Sequence, residues 1–389
     1  MTTDSQKAVV NSWNEWDPLK RVILGVPDDS VISAPEPAWQ YNCPRGGYPL
    51  GQYGSFPQEV VAKAAEQMDN FQKMLEARGV IVDRAVPIDF SQATVTPDWV
   101  QPNMRGCMPS RDVILTVGNE ILECTMSMRA RYWEYLCYRP LLERYFKEDP
   151  NFLWTSAPKP RLSDESYVKN YYYLFDNVWT DEDKKKRLNN WTFHLTEKEP
   201  LFDAADGTRC GKDIFWQASA VTNQSGVAWL KRYFGAKGIR VHHVLFDGHL
   251  HPWHIDVNLI PLRPGLAVYN PEWPAITEEM GKLFKMNDWE LIPAAKPMYS
   301  YDTPITLLGG EYQGTSWISM NTLSLDEKTI CVEAHETAYM EQLDKLGFEV
   351  IPVHYEQVLC FGGGLHCGTA DVYREGGCED YFPKQIEGY

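Results

Sequence analysis

A helical pattern that closes on a glycine or a polar turn and runs straight into a short β-rich stretch recurs along this chain. MDNFQKMLEARG leads into VIVDRAV (68–86), VAWLKRYFGAKG into IRVHHVLF (227–246), EEMGKLFKMND into WELIPA (278–294) and AYMEQLDKLG into FEVIPV (338–353). In each copy apolar residues fall at i, i+3, i+4 and i+7, as an amphipathic helix requires, before the pattern turns to β-formers. RARYWEYLCYRPLLERYF (129–146) followed by FLWTSA (152–157) is a fifth, less regular copy. A period of roughly 50–60 residues in the C-terminal half suits blade or solenoid repeats.

The segments between these copies read as hairpins. DVILTVGNEILECTM (112–126) turns at Gly118-Asn119, HIDVNLIPLRPGLAVYN (254–270) at Arg263-Pro264-Gly265 and WISMNTLSLDEKTICVEA (317–334) at Asp326-Glu327. FDAAD (202–206) and GKDIFWQAS (211–219) read as another pair of strands. The unit is therefore strand, strand, helix, strand, about five times over. Closed in a ring it predicts an α/β fold, a single five-bladed α/β propeller, with GGLHCGTADVYR (363–374) pairing with KRVILGV (20–26). Residues 158–200 fit no unit and read as an insertion, and no linker divides the 389 residues into separate domains.

The totals exclude several classes. Apolar content of 44% and charged content of 23% are those of a folded enzyme. A net charge of −16 disfavours nucleic acid and anionic membrane as partners, because both require a positive field. The DEDKKKR run from Asp181 is mixed in sign and reads as a solvated face. No run approaches the ~18 apolar residues of a membrane span. Nine cysteines without a C-x-x-C pair, behind a polar MTTDSQKAVV start, predict reduced thiols and a cytoplasmic protein.

Four places carry chemistry. Cys367 follows Gly362–Gly364 in FGGGLHCGTADV, where three glycines weaken a strand and imply a tight turn or a close backbone approach. A lone cysteine is more often a buried small hydrophobe than a nucleophile, and the polar, glycine-rich setting offsets that prior. HLHPWHID (249–256) holds His249, His251, His254 and Asp256. A metal site there would need ligands on both faces of one strand, which is poor geometry, whereas His254 and Asp256 share a face. Asp112 and Asp213 each open an apolar strand. Each is by default a strand-end aspartate, but repetition places them with His254 and Asp256 at corresponding hairpin ends, which meet at the axis of a ring.

These residues lie within long blocks that resemble the arginine:glycine amidinotransferase family. The blocks include SRDVILTVGNEILECTMSMRARYWEY, APKP (157–160), FDAAD, GKDIF, VTNQSGVAWLKR, HIDVNLIPLRPG, NPEWP, SWISMNTLSLDEK, GGGLHC and EDYFP. They run in order from VNSWNEWDPLKRVILG (10–25) to the end, and look most like the cyanobacterial branch that guanidinylates saxitoxin-type alkaloid precursors. The resemblance implies the five-bladed pentein propeller and a transferase of the 2.1.4 class. It implies that the enzyme moves an amidino group from L-arginine to an amine through a covalent amidino-cysteine, with no cofactor. Carried over by position, Cys367 is the nucleophile, His254 the general acid and base, and Asp213 the partner of that histidine. Asp112 and Asp256 hold the guanidinium, and Gly314 and Thr315 occupy a substrate-contacting Ser-Ser position. Relatives are often dimers, so a homodimer is compatible.

The sequence departs from the family at Trp273, where an arginine that holds the donor's carboxylate is usual, and at His251-Pro252-Trp253, where relatives have Asn-Pro-Met. Both changes sit on the substrate side and argue for an acceptor larger and less anionic than glycine, a toxin-pathway alkyl amine. Two alternatives stand beside this reading. One is a guanidine hydrolase of the deiminase type with the same residues and water as acceptor. The other is a metal-dependent hydrolase built on His249, His251 and His254.

Overall fold

The computed structural model describes residues 8–38, 53–247, 252–273, 275–276, 278–298 and 315–387. Its main sheets are five, each of three strands. In the first, β1 (Leu19–Leu24) pairs antiparallel with the last strand of the chain (Thr369–Arg374) and parallel with β2 (Ile81–Arg84). The ring thus closes by joining the C-terminal strand to the N-terminal one, as the sequence predicts.

The other four sheets repeat one plan. An antiparallel hairpin is followed by a helix that returns the chain to a parallel third strand. The hairpins are β3 (Ile114–Val117) with β4 (Glu120–Glu123), β6 (Gly207–Cys210) with β7 (Asp213–Gln217), β9 (Leu259–Arg263) with β10 (Leu266–Tyr269), and β12 (Leu323–Ser324) with β13 (Thr329–Glu333). Their third strands are β5 (Leu153–Ser156), β8 (Arg240–Val244), β11 (Glu290–Pro293) and β14 (Glu349–Val353). Parallel strands need a crossover, and an amphipathic helix supplies one while covering the sheet. Gly118 and Gly265, at the tips of two hairpins, have φ of +60° and +80°, which a side chain opposes.

Helix α1 (Gln58–Ala77) shows how patterning becomes packing. Val60, Ala64, Met68, Phe71 and Leu75 recur on one face and are all buried. They join residues of the fifth blade, such as Ile330, Leu343 and Phe348, in the largest apolar cluster. Burying side chains of this size stabilises the fold by about 1.5–3 kcal/mol each.

The axis is not apolar. Glu15, from the N-terminal segment, ion-pairs with Arg111 and Arg209, and Asp371 takes Arg111, Arg209 and Arg374. All five side chains are buried. Such charges are tolerable only because each finds an opposite partner, and removing one leaves the others uncompensated.

FDAAD is not a strand. It forms a helical turn (Ala204–Asp206), and its hairpin starts at Gly207. The 158–200 segment joins none of the five blade sheets. It contributes two short helices (Tyr171–Asn177 and Asp181–Asn189), and its Leu162, Tyr167 and Leu195 pack with Trp99 and Met128. None of the cysteines among the described residues is paired in a disulfide. No helix among them is long and apolar enough to cross a membrane.

Candidate active site

A helical turn precedes the hairpin in each of blades two to five: Ser110–Val113, Ala204–Asp206, Ile255–Val257 and Ser316–Met320. Successive turns touch one another, and the first also touches the final strand. The turns, rather than the strands, bring distant parts of the sequence together. Asp112 lies in the first, Asp203 and Asp206 cap and end the second, His254 and Asp256 flank the start of the third, and Asn321 closes the fourth. Cys367 sits in the turn immediately before the last strand.

Cys367 is 3% exposed and tightly held. Its Sγ lies 3.1 Å from Asp256 Oδ2 and accepts from Asn321 Nδ2 at 3.2 Å. The Asn321 carbonyl accepts the backbone N–H groups of His366 (2.9 Å) and Cys367 (3.0 Å), so one amide side chain fixes both the loop and the sulfur. His366 Nδ1 is 2.9 Å from the same Asp256 oxygen, and its Nε2 is 3.4 Å from Glu15 Oε2, which ties the site to the charged axis. The glycine run has a local reason. A Cβ on Gly363 would lie 2.1 Å from that of Cys367, and one on Gly368 would lie 2.0 Å from the Tyr355 hydroxyl oxygen.

His254 is buried between carboxylates. Its Nδ1 is 3.7 Å from Asp112 Oδ1 and its Nε2 is 3.7 Å from Asp203 Oδ2, ion-pair distances too long for hydrogen bonds. Ligand atoms of Asp112, His254 and Cys367 all lie within 4.8 Å of one another, so thiol, imidazole and carboxylate converge as the sequence predicts; the same three could also ligate a metal ion. Arg131, buried behind, donates to Asp112 Oδ2 (2.7 Å) and to both oxygens of Glu134.

Asp213 does not belong to this group. Its carboxylate takes Arg240 Nε (2.8 Å), Arg240 Nη2 (2.6 Å) and His242 Nε2 (2.7 Å). The reason is direction. Asp112 stands before the first strand of its hairpin, whereas Asp213 opens the second strand, after the Gly211-Lys212 turn, and so lies at the hairpin's far end. The carboxylates beside His254 on the third blade are Asp203 and Asp206. The signal for them lay in FDAAD, placed before its hairpin as Asp112 is before its own; reading those residues as a strand hid it. Asn321 occupies the equivalent stretch of blade five and was also missed. His254 and Asp256, expected on a strand, straddle a helical turn and still both face inward.

The electrostatics follow from burial. Oδ1 of Asp112, both oxygens of Asp203, Oδ1 of Asp206 and Oδ1 of Asp256 are buried without a hydrogen-bond partner among the described residues. Buried polar atoms are rarely left so, because the desolvation cost is uncompensated. Burial opposes charge on His254, but Asp112, Asp203, Asp206 and Asp256 outweigh it and raise its pKa to about 10. Burial, with Asp256 and Asp112 adding, pushes the Cys367 thiol well above its ordinary value. Burial also raises Asp203 and Asp206. These surroundings favour a neutral thiol and an imidazolium, with carboxylate oxygen in excess. The site can receive a planar cation with several N–H donors.

Of the residues expected to meet substrate, Thr315 accepts from Trp317 N (3.1 Å) and caps the fourth turn. Trp253, adjacent to His254, packs against the cluster that holds Leu162, Tyr167 and Leu195 of the insertion. Trp273 is half-buried between two apolar clusters. Gly314, His249 and His251 lie outside the described residues.

Comparison with known proteins places the chain in a family. No protein-family model matches the chain. It is 38% identical over 389 residues to the mitochondrial glycine amidinotransferase of Xenopus laevis, covering 98% of this chain and 86% of that protein. It is 37% identical to the L-arginine:L-lysine amidinotransferase of Pseudomonas savastanoi pv. phaseolicola, covering 97% of each. Among solved structures, an amidinotransferase of the saxitoxin biosynthetic pathway from Microseira wollei superposes with a TM-score of 0.85 at 35% identity, covering 96% of this chain and 99% of that one.

Proposed function

The chain belongs to the amidinotransferase family, and on that premise we propose that it lifts the amidino group of L-arginine onto Cys367 and passes it to a primary amine. The observation that carries this reading is the set of unpartnered, buried carboxylate oxygens around Cys367 and His254. A guanidinium supplies the N–H donors those oxygens lack, and its positive charge offsets their excess.

Asp112 and Asp256 clamp the guanidinium, so that Cys367 faces its central carbon. The bound cation also lowers the thiol's pKa, and the thiol proton leaves to solvent. The thiolate attacks, forming a bond from sulfur to the central carbon. His254 gives its proton to the side-chain nitrogen of arginine, the carbon–nitrogen bond breaks and ornithine departs as a neutral amine. A cationic amidino-cysteine remains. The acceptor amine then adds to the same carbon, the now neutral His254 takes its proton, and the sulfur–carbon bond breaks to return the thiolate. Asp203 and Asp206 hold the imidazole and compensate its charge, and Asn321 steadies the sulfur in its anionic form.

The acceptor is larger than glycine. Trp253 continues the apolar surface of the insertion directly beside His254, and Trp273, by the family resemblance, stands where an arginine is usual. Such walls favour an amine on an alkyl chain over an amino acid zwitterion.

Initial rates with arginine and a panel of primary amines test the proposal. Parallel-line kinetics, one ornithine released per guanidinylated amine and higher kcat/KM for alkyl amines than for glycine are expected. Citrulline formation without added amine would instead make the protein a guanidine hydrolase.

A further inference from the structure

Away from the active site, two neighbouring strand ends carry matching patterns, Glu333-Ala334-His335 and His354-Tyr355-Glu356. β13 and β14 run parallel with Glu333 opposite Val353, so both patterns leave the sheet at the same edge. Glu333 ends β13 and His335 lies in the turn after it, His354 and Glu356 follow the end of β14, and Tyr355 between the latter two is buried. One ligand atom from each of the four lies within 4.8 Å of the others.

We propose that Glu333, His335, His354 and Glu356 form a binding site for a divalent transition ion of the zinc class. Two imidazoles and two carboxylates are a donor set that suits zinc-class ions better than magnesium or calcium, which favour oxygen alone. Glu333 accepts both the backbone N–H (2.8 Å) and Nδ1 (2.9 Å) of His335, which fixes the orientation of that ring. Glu356 Oε2 is buried with no hydrogen-bond partner among the described residues, and His354 Nδ1 faces it at 3.9 Å. That gap is too long for a hydrogen bond and of the size an ion bridges, since each bond to zinc is about 2.0–2.2 Å. An ion there would clip β13 to β14. It would also flank Tyr355, whose hydroxyl rests against Gly368 beside the nucleophile. Occupancy would therefore stiffen the wall that supports the Cys367 loop.

The test uses full-length C367A protein, so that the Asp112, His254 and Cys367 set cannot supply the signal. Titration with Co²⁺ should give one saturable equivalent with the visible absorption of low-coordinate cobalt, displaced by Zn²⁺, and Zn²⁺ should raise the Tm. C367A/H354A and C367A/E356Q, altered at the rim, should fold with the parent's Tm in chelator and bind at least about tenfold more weakly. Absence of saturable binding in C367A, or binding equal in the parent and both double variants, would overturn the proposal.

Discussion

Asp256 Oδ2 lies 3.1 Å from the sulfur of Cys367, and the same oxygen is 2.9 Å from His366 Nδ1. A carboxylate so placed opposes the thiolate until a cation arrives. Alkylation by iodoacetamide is therefore expected to be slow at neutral pH in the empty enzyme and faster when a guanidinium that cannot transfer its group is bound. D256N should alkylate faster than the native enzyme without ligand, because a negative neighbour is gone. Equal rates in all three states would contradict the electrostatic account.

Asp203 and Asp213 separate two readings of the third blade. D203N should lower kcat on the order of a hundredfold, the typical scale for disturbing general acid–base catalysis. D213N should leave kcat within a few-fold and lower stability by roughly 1–3 kcal/mol, because it strips a buried partner from Arg240 and His242. Thermal unfolding alongside steady-state rates distinguishes the two. The opposite pattern would restore Asp213 to the site.

His254 makes stability depend on pH in a defined direction. Its folded pKa, about 10, is above its unfolded value of about 6.5. The stabilisation it confers is thus complete below about pH 6.5 and is lost as pH rises through about 10. The Tm difference between native enzyme and H254Q should be widest near pH 6 and shrink steadily toward pH 10. A difference that is constant or grows with pH would mean that the imidazole is not held in its charged form.

Trp253 joins the catalytic edge to the insertion. W253A should reduce kcat/KM for alkyl amines about tenfold, the scale of losing one apolar wall. Ornithine release in the first half-reaction should change much less. A loss confined to the donor half-reaction would move Trp253 to the arginine side.

Much of this was legible in the sequence because the repeat imposes it. Helix-to-strand junctions such as AYMEQLDKLG to FEVIPV carry both periods in plain view, and five of them leave closure of a ring as the economical solution. That basis brings Asp112, His254 and Asp256 to the axis, with Asp213 wrongly among them, and the family resemblance adds Cys367. The helical turns before the hairpins were not legible. A few residues such as Ala204–Asp206 carry neither a period of two nor one of 3.6, and their conformation is set by neighbouring turns across the axis. Asp213 opens the second strand of its hairpin whether the first is FDAAD or Gly207–Cys210, and grouping it with Asp112, which precedes a first strand, put it at the wrong end. Asn321 was hidden differently. Nothing local marks an asparagine whose amide will meet a sulfur 46 positions away.

Intact mass of the enzyme after incubation with arginine alone tests the central claim most directly. The account predicts a gain of one amidino group per chain, located on Cys367, absent in C367A and discharged by an alkyl amine. Ornithine or guanidinylated amine formed by C367A at the native rate, or a native enzyme that turns over without ever carrying the adduct, would contradict it.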